Sequence, residues 1–247
     1  MRRLVLQPFL IALQFLTILP VKIKGQADAR AQAHSLLYYP VVGLVIGVLL
    51  VLLGRLLGDG PPHLMAALLL TAWVLITGAL HLDGLADSAD AWVGGLGNRD
   101  KTLAIMKDVH CGAAAVVAVV LVLLIKFAAL AQLVSNESWM ILALAPVLGR
   151  TAALLLFVTT PYVRAGGLGS VFVTGMPQRA SAVVTVTTLI VVAVLMGNTA
   201  TWILVGFVAI FWGLRGLMLR RVGGTTGDTA GALIEVIEAG VLVAAAL

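Results

Sequence analysis

The stretch AALLLTAWVLITGALHLDGLADSAD, residues 66–90, passes from a continuous apolar segment into three aspartates. Asp83, Asp87 and Asp90 are spaced i, i+4 and i+7, so on a helix their side chains share one narrow stripe. Like charges so close repel one another, and a bound cation would relieve the repulsion. Because the ligands are carboxylates, Mg²⁺ or Mn²⁺ is the natural ion. The alternative is a solvated acidic helix end beside a membrane.

The composition places the chain among integral membrane proteins. Of the 247 residues, 61% are apolar and only 11% are charged, which is outside the usual range of soluble domains. Windows of about twenty residues predict seven membrane-spanning helices, at residues 36–57, 61–82, 112–133, 138–160, 180–197, 199–219 and 229–247. We therefore predict an all-α polytopic bundle of about seven transmembrane helices, forming a single domain over residues 1–247.

The N-terminal segment, residues 1–35, precedes the first predicted span. Pro8 and Pro20 bracket a short apolar run that contains Gln14. This pattern favours an interfacial or re-entrant helix, with an eighth spanning helix as the alternative.

Connections that carry lysine or arginine alternate along the chain with connections that carry neither, and this alternation predicts the orientation of the spans. The basic connections carry Arg2, Arg3, Lys22, Lys24, Arg30, Arg99, Lys101, Lys107, Arg164, Arg179, Arg215, Arg220 and Arg221. Positive loops stay in the cytoplasm, so we expect a multi-pass inner (plasma) membrane protein whose Asp-rich segment, residues 83–111, is cytoplasmic. The net charge of +5 reflects this bias and attraction to anionic lipid, and does not indicate nucleic-acid binding.

Two further features of the Asp-rich segment suggest substrate contacts. The stretch GGLGNRDKTLAIMKDVHCG, residues 94–112, predicts a glycine loop followed by a short amphipathic helix. At its end, Lys107 could donate to a phosphate, Asp108 could act as a metal ligand or base, and His110 offers a hydrogen-bonding imidazole. An ordinary interfacial helix with snorkelling cations is the alternative.

Two more glycine-rich segments lie on the same predicted face. PYVRAGGLGS, residues 161–170, carries Arg164, and RRVGGTTGDTAGALIEVIE, residues 220–238, leads from Arg220 into a helix that starts near Asp228. Free backbone N–H groups at that helix start could receive an anion. A simple helix cap is the alternative.

Among the charged residues inside predicted spans, four lie far from the span ends: Lys126, Arg150, Glu235 and Glu238. Glu235 and Glu238 lie about 10 and 14 Å below the predicted start of the last span, too deep to reach the headgroups. Arg150 lies at a similar depth, so we predict that it pairs with Glu238 or Glu235. Lys126 lies beyond the midplane and is expected to snorkel outward.

Aspartates, basic residues and glycine-rich turns on one membrane face are typical of metal-assisted phosphoryl transfer. A cation-coupled transporter is the rival class. Its acidic residues would lie near the midplane in repeat-related broken helices, and the sequence contains no such repeat.

The chain resembles the cobalamin synthase (adenosylcobinamide-GDP ribazoletransferase) family at four motifs: HLDGLADSAD, IMKDVHCG, the Arg164–Gly169 turn and GGTTGDTAGALIE. The resemblance covers nearly the whole chain; a departure at Ala115, where the family often has glycine, affects only local packing. It implies Mg²⁺-dependent joining of adenosylcobinamide-GDP to α-ribazole or its 5′-phosphate, with release of GMP. Those substrates and the lipid bilayer are the expected partners, and oligomerisation stays open.

The motifs and the resemblance together assign roles to individual residues. Asp83, Asp87 and Asp90 would hold Mg²⁺, and Asp228 would complete that site or act as a base. The expected substrate contacts are His81, Lys107, His110, Arg164 and Arg220. A more distant resemblance to CDP-alcohol phosphotransferases leaves lipid synthesis as an alternative, although Asp87 stands where their motif requires alanine.

Overall fold

The computed structural model describes residues 2–23, 28–164 and 168–247. Within these ranges the regular secondary structure is helical, apart from one isolated β-bridge, and loops and turns connect the helices. The α-helices are α1 Arg2–Leu16, α2 Ala29–Ser35, α3 Tyr39–Leu57, α4 Pro62–Thr77, α5 Leu80–Gly94, α6 Arg99–Ile105, α7 Ala113–Ser135, α8 Trp139–Thr159, α9 Leu168–Val173, α10 Gln178–Met196, α11 Ala200–Val222 and α12 Gly227–Ala246. The predicted all-α class is confirmed. Lys24 and the glycines at 166 and 167 lie outside the described residues.

The number of membrane spans depends on how two joined helix pairs are counted. Among the described residues, five helical stretches are long and apolar enough to cross a membrane, and α4 with α5 would make a sixth. One of the five, Gln178–Val222, contains both α10 and α11 in 45 residues. At about 1.5 Å per residue it is more than twice as long as the roughly 30 Å hydrocarbon core. Counting it as two spans would give seven, so that number stays a prediction.

The predicted span 61–82 is wrong at its C-terminal end. Helix α4 stops at Thr77, and α5 leaves it at an angle of 86°. Gly78 and Ala79 both adopt left-handed backbone conformations, with φ of 60° and 57°. Hydropathy does not reveal this break because the residues on both sides of it are apolar.

The N-terminal helix α1 is too short to cross the hydrocarbon core, since its apolar part is Leu6–Leu16. Pro8 lies inside α1, so the helix begins before the apolar run that Pro8 and Pro20 bracket. Ile11, Ala12 and Leu16 are buried in the main core. The end of α1 therefore packs into the bundle beside the site described below.

Helices α8 and α12 form the centre of the bundle. In the most apolar windows, 83% of α8 and 67% of α12 is buried, compared with 22% of α7. Helix α8 packs against α3 and α12, and α12 packs against α5, α7 and α11. Helices α7, α10 and α11 carry many exposed leucines and valines on the outside of the bundle. Such an apolar outer surface is expected of helices in contact with lipid.

Candidate active site

A cavity of about 510 Å³ lies where α5, α8 and α12 meet the connection before α9. Five of the residues that the sequence singled out line it: His81, Asp83, Lys107, Arg164 and Asp228. They come from three separate segments of the chain. The structure therefore brings the Asp-rich segment, the Arg164 turn and the start of α12 to one end of the bundle.

A short backbone pairing places Arg164 against α12. The Val163 nitrogen donates to the Thr225 carbonyl at 2.9 Å, and the Thr225 nitrogen donates to the Pro161 carbonyl at 2.8 Å. The chain then continues so that Arg164 Nη1 lies 2.6 Å from Asp228 Oδ2. This ion pair is partly buried, with exposed side-chain fractions of 28% and 17%. One carboxylate oxygen of Asp228 is thus held by a cation at the cavity wall.

The start of α12 is built as a capped helix. Thr226 is the N-cap, and its side chain accepts a hydrogen bond from the Thr229 nitrogen, while the Thr229 hydroxyl accepts one from the Thr226 nitrogen. The alternative that this segment caps the helix is therefore correct. It does not exclude substrate binding, because Gly227 and Asp228, the first two helical residues, line the cavity.

Gly84 allows α5 to lie directly on α12. A Cβ at this position would lie 2.6 Å from the Asp228 carbonyl oxygen and 3.0 Å from its Cα. Real Cβ atoms do not come so close to backbone, so only glycine fits without displacing α12. The close approach puts the Asp83 and Asp228 side chains on the same cavity.

All three aspartates of the stripe lie on α5, as predicted. The Asp87 carboxylate is repelled by Asp83, Asp228 and Asp90, and Arg164 partly offsets this repulsion. Within the described part of the chain, no three His, Cys, Asp or Glu side chains form a ready-made metal site. The bound cation and its ligand set both stay predictions.

Asp90 has a structural role that its spacing did not indicate. Its carboxylate accepts hydrogen bonds from the backbone nitrogens of Gly112 and Ala115, at 2.5 and 2.9 Å. These groups belong to the start of α7, where a negative charge is favoured by the helix dipole. Asp90 does not line the cavity.

His110 and Arg220 do not line the cavity either, and their assignment to substrate stays a prediction. His110 Nδ1 lies 2.6 Å from Asp108 Oδ1 on an exposed loop. This hydrogen bond lowers the pKa of the Asp108 carboxyl below its usual value. Arg220 is an exposed residue in the last turn of α11.

The cavity also has an aromatic wall that the sequence did not reveal. Phe15, Tyr39, Phe157 and Phe172 contribute to it from α1, α3, α8 and α9. Phe15 and Phe172 touch, with ring centroids 4.8 Å apart. Aromatic residues are ordinary in a membrane protein, and only folding brings these four together. The result is a cavity with a charged side and an aromatic side.

Tyr162 joins the charged and aromatic sides. Its phenol oxygen lies near the backbone N–H groups of Gly169 and Gly227, and both glycines line the cavity with it. Burial, followed by the nearby Asp228 carboxylate, raises the pKa of Tyr162, while Arg164 and the two backbone donors oppose the rise. The phenol thus lies between α9 and the first residue of α12.

Behind the cavity, the intramembrane charges form one buried network. Arg150 Nη1 hydrogen-bonds to Glu238 Oε1, which confirms the predicted pair. Lys126 Nζ lies 2.5 Å from Glu235 Oε2 and 2.6 Å from Glu238 Oε2, so the expectation that Lys126 snorkels outward is wrong. Its ammonium also sits 4.7 Å from the centroid of the Trp73 ring. The two cations and two carboxylates balance one another.

The fold and the cavity define a polytopic helical membrane protein whose site, with its carboxylates, basic side chains and helix start, suits a phosphorylated substrate. Within that class the chain belongs to the cobalamin-5-phosphate synthase family, whose model matches residues 8–246.

The chain is similar to curated proteins named adenosylcobinamide-GDP ribazoletransferase. The relative from Pseudomonas fluorescens is 53% identical, and the match covers 97% of this chain and 99% of the relative. Relatives from Pseudomonas putida and Pseudomonas syringae are 55% and 51% identical; the matches cover 97% of this chain and 98% and 99% of the relatives. No solved structure matches the chain.

Proposed function

We propose that this protein transfers the cobinamide phosphate of adenosylcobinamide-GDP to α-ribazole or its 5′-phosphate, releasing GMP and forming adenosylcobalamin or its phosphate. The family and the names of its relatives support this activity. The structural observation that carries it is the cavity itself, because it collects Asp83 and Asp228 with Lys107 and Arg164. Carboxylates and cations together are what phosphoryl transfer from a diphosphate requires.

In this proposal, the 3′-hydroxyl of the ribazole ribose attacks the phosphorus on the cobinamide side, and the bond to GMP breaks. Lys107 and Arg164 bind the diphosphate oxygens and stabilise the negative charge that develops. Asp228 accepts the proton of the attacking hydroxyl. Arg164 donates a hydrogen bond to Oδ2 of that carboxylate and so holds it at the cavity wall.

The acidic residues suit Mg²⁺, although three of them do not form a closed cage. Mg²⁺ usually keeps several waters and binds through one or two carboxylates together with substrate phosphates. Asp83, which lines the cavity, and Asp87, which lies one turn further along α5 and is not part of the lining, would supply those carboxylates, since Asp90 already accepts two backbone hydrogen bonds. The bound ion would neutralise diphosphate charge. The repulsion among Asp83, Asp87 and Asp228 supports a cation at this place.

The active face is proposed to be cytoplasmic, in the inner membrane. The segments that meet at the cavity are among the basic ones, which the positive-inside rule places in the cytoplasm. A second, smaller hollow is lined by Asp59 and Glu137 from connections without lysine or arginine, and by Arg55 from the last turn of α3. The connections that contribute to the cavity are therefore all basic ones, and those without lysine or arginine contribute to the second hollow instead.

Purified protein in liposomes tests this function. With Mg²⁺, GMP should appear only when both adenosylcobinamide-GDP and α-ribazole, or its 5′-phosphate, are present, and in equal amount to the cobalamin product. A CDP-alcohol with a lipid acceptor serves as the control and should release no CMP. GMP release without ribazole, or CMP release in the control, would contradict the proposal.

A further inference from the structure

His81 connects the cavity to the buried charge network. It is 3% exposed and belongs to α5, two residues before Asp83. Its Nδ1 lies 3.3 Å from Nη2 of Arg150, whose Nη1 is held by Glu238. A guanidinium can only donate hydrogen bonds, so Nδ1 must be the acceptor and carries no proton.

The proton of the neutral imidazole is therefore on Nε2. That atom is buried and has no hydrogen-bond partner within the described ranges. A buried N–H without a partner is unfavourable, and such groups usually serve a ligand or a bound water. His81 lines the same cavity as Asp83, Lys107 and Arg164. A ligand in the cavity can supply the missing acceptor.

We propose that Nε2–H of His81 donates a hydrogen bond to a phosphoryl oxygen of the bound diphosphate, and that Arg150 is the positioning residue that fixes this tautomer. The inference rests on the proposed function, because that function puts a diphosphate in the cavity. Arg150 itself is fully buried and does not line the cavity. It acts through the imidazole.

The composition of the network explains why a neutral donor suits this position. Arg150 and Lys126 are matched by Glu235 and Glu238, so the buried cluster has no net charge. A neutral imidazole extends the cluster to the cavity without adding a third buried cation. It offers the diphosphate one directed hydrogen bond, while Lys107 and Arg164 supply positive charge nearer the opening.

Nitrogen NMR of protein labelled at its four histidines tests the tautomer directly, with the His81→Gln variant identifying the His81 signals. In the unaltered protein, Nδ1 should be unprotonated and Nε2 protonated. In the double variant Arg150→Met/Glu238→Gln, which keeps the buried charge balanced, both tautomers should appear. Protonated Nδ1 in the unaltered protein, or an unchanged tautomer in the double variant, would overturn the proposal.

Adenosylcobinamide-GDP is the probe for the ligand contact. Its addition with Mg²⁺ should shift the Nε2 signal of His81, whether or not ribazole transfer follows. A shift without transfer would contradict the proposed function and keep this inference. An unmoved Nε2 signal at saturating probe would overturn the inference, even in an active enzyme.

Two substitutions of His81 distinguish the role of Nε2 from the role of Nδ1. The amide nitrogen of Gln can lie near the position of Nε2, whereas the shorter Asn reaches only the position of Nδ1. We expect His81→Asn to lower kcat/KM for adenosylcobinamide-GDP about 10- to 100-fold, and His81→Gln to restore most of that loss. Equal losses in two variants with equal thermal stability would overturn the donor role of Nε2.

Discussion

Asp90 Oδ2 lies 2.5 Å from the backbone nitrogen of Gly112, so the third aspartate of the α5 stripe is joined to the start of α7. A Cβ at Gly112 would lie 2.7 Å from the same carboxylate, which shows how closely the two segments approach. Asp83, by contrast, is exposed and lines the cavity. Asp83 and Asp90 thus have different surroundings, although they belong to one regularly spaced stripe.

This difference predicts unequal responses to loss of charge. Asp83→Asn should lower turnover at low Mg²⁺ by roughly two orders of magnitude, because it removes a proposed ligand charge. Asp90→Asn should cost about 0.5–2 kcal/mol of stability, the usual value of a helix cap, without changing the Mg²⁺ concentration for half-maximal activity. Activity titrations with Mg²⁺ and thermal melting measure both effects. Near-normal Asp83→Asn activity at low Mg²⁺ would exclude it as a ligand.

The topology can be tested with the single native cysteine. Cys111 is exposed on the basic connection between α6 and α7. We expect it to react with an impermeant maleimide in inside-out vesicles but not in right-side-out vesicles. Asn136→Cys, at the exposed end of α7, should show the opposite pattern in a Cys111→Ser background. The reverse labelling would place the cavity outside the cytoplasm.

Hydropathy and charge predicted much of the architecture, because a bilayer leaves few ways to satisfy the backbone. They identified the helical class, the alignment of Asp83 with Asp87 and the pairing of Arg150 with Glu238. The break between α4 and α5 escaped prediction because it depends on backbone dihedral angles at Gly78 and Ala79. The hydropathy of an apolar sequence does not predict backbone dihedral angles.

Depth along a span alone gave the wrong prediction for the direction of the Lys126 side chain. Its position along α7 suggested snorkelling, but Ala129, Leu130 and Leu133 share its face at i+3, i+4 and i+7, and all four are buried. That small, apolar stripe is buried in the main core, so Lys126 points into the bundle. The aromatic wall of the cavity had no comparable signal, since its residues come from helices that are distant in sequence.

The fit of Gly84 against α12 predicts a strong effect of one methyl group. Gly84→Ala should cost about 1–3 kcal/mol of stability through overpacking, and it should lower transfer activity by displacing Asp83 from Asp228. Gly216→Ala is the matched control, because nothing lies within 4 Å of a Cβ built there on α11. That variant should be neutral or slightly stabilised. Melting curves and kcat for the two variants test this, and equal behaviour would refute the close contact.

The final prediction concerns the ion pair between Lys126 and Glu235, in which Nζ and Oε2 are 2.5 Å apart. Removing both of these residues leaves the pair between Arg150 and Glu238 in place. Lys126→Met or Glu235→Leu alone unbalances a buried network and should cost about 3–5 kcal/mol. The double variant restores neutrality, so its loss should be much smaller than the sum of the two. Arg55→Met, at an exposed arginine, controls for loss of one cation. Thermal stability in detergent measures all four variants, and strictly additive losses would show that Lys126 and Glu235 do not interact.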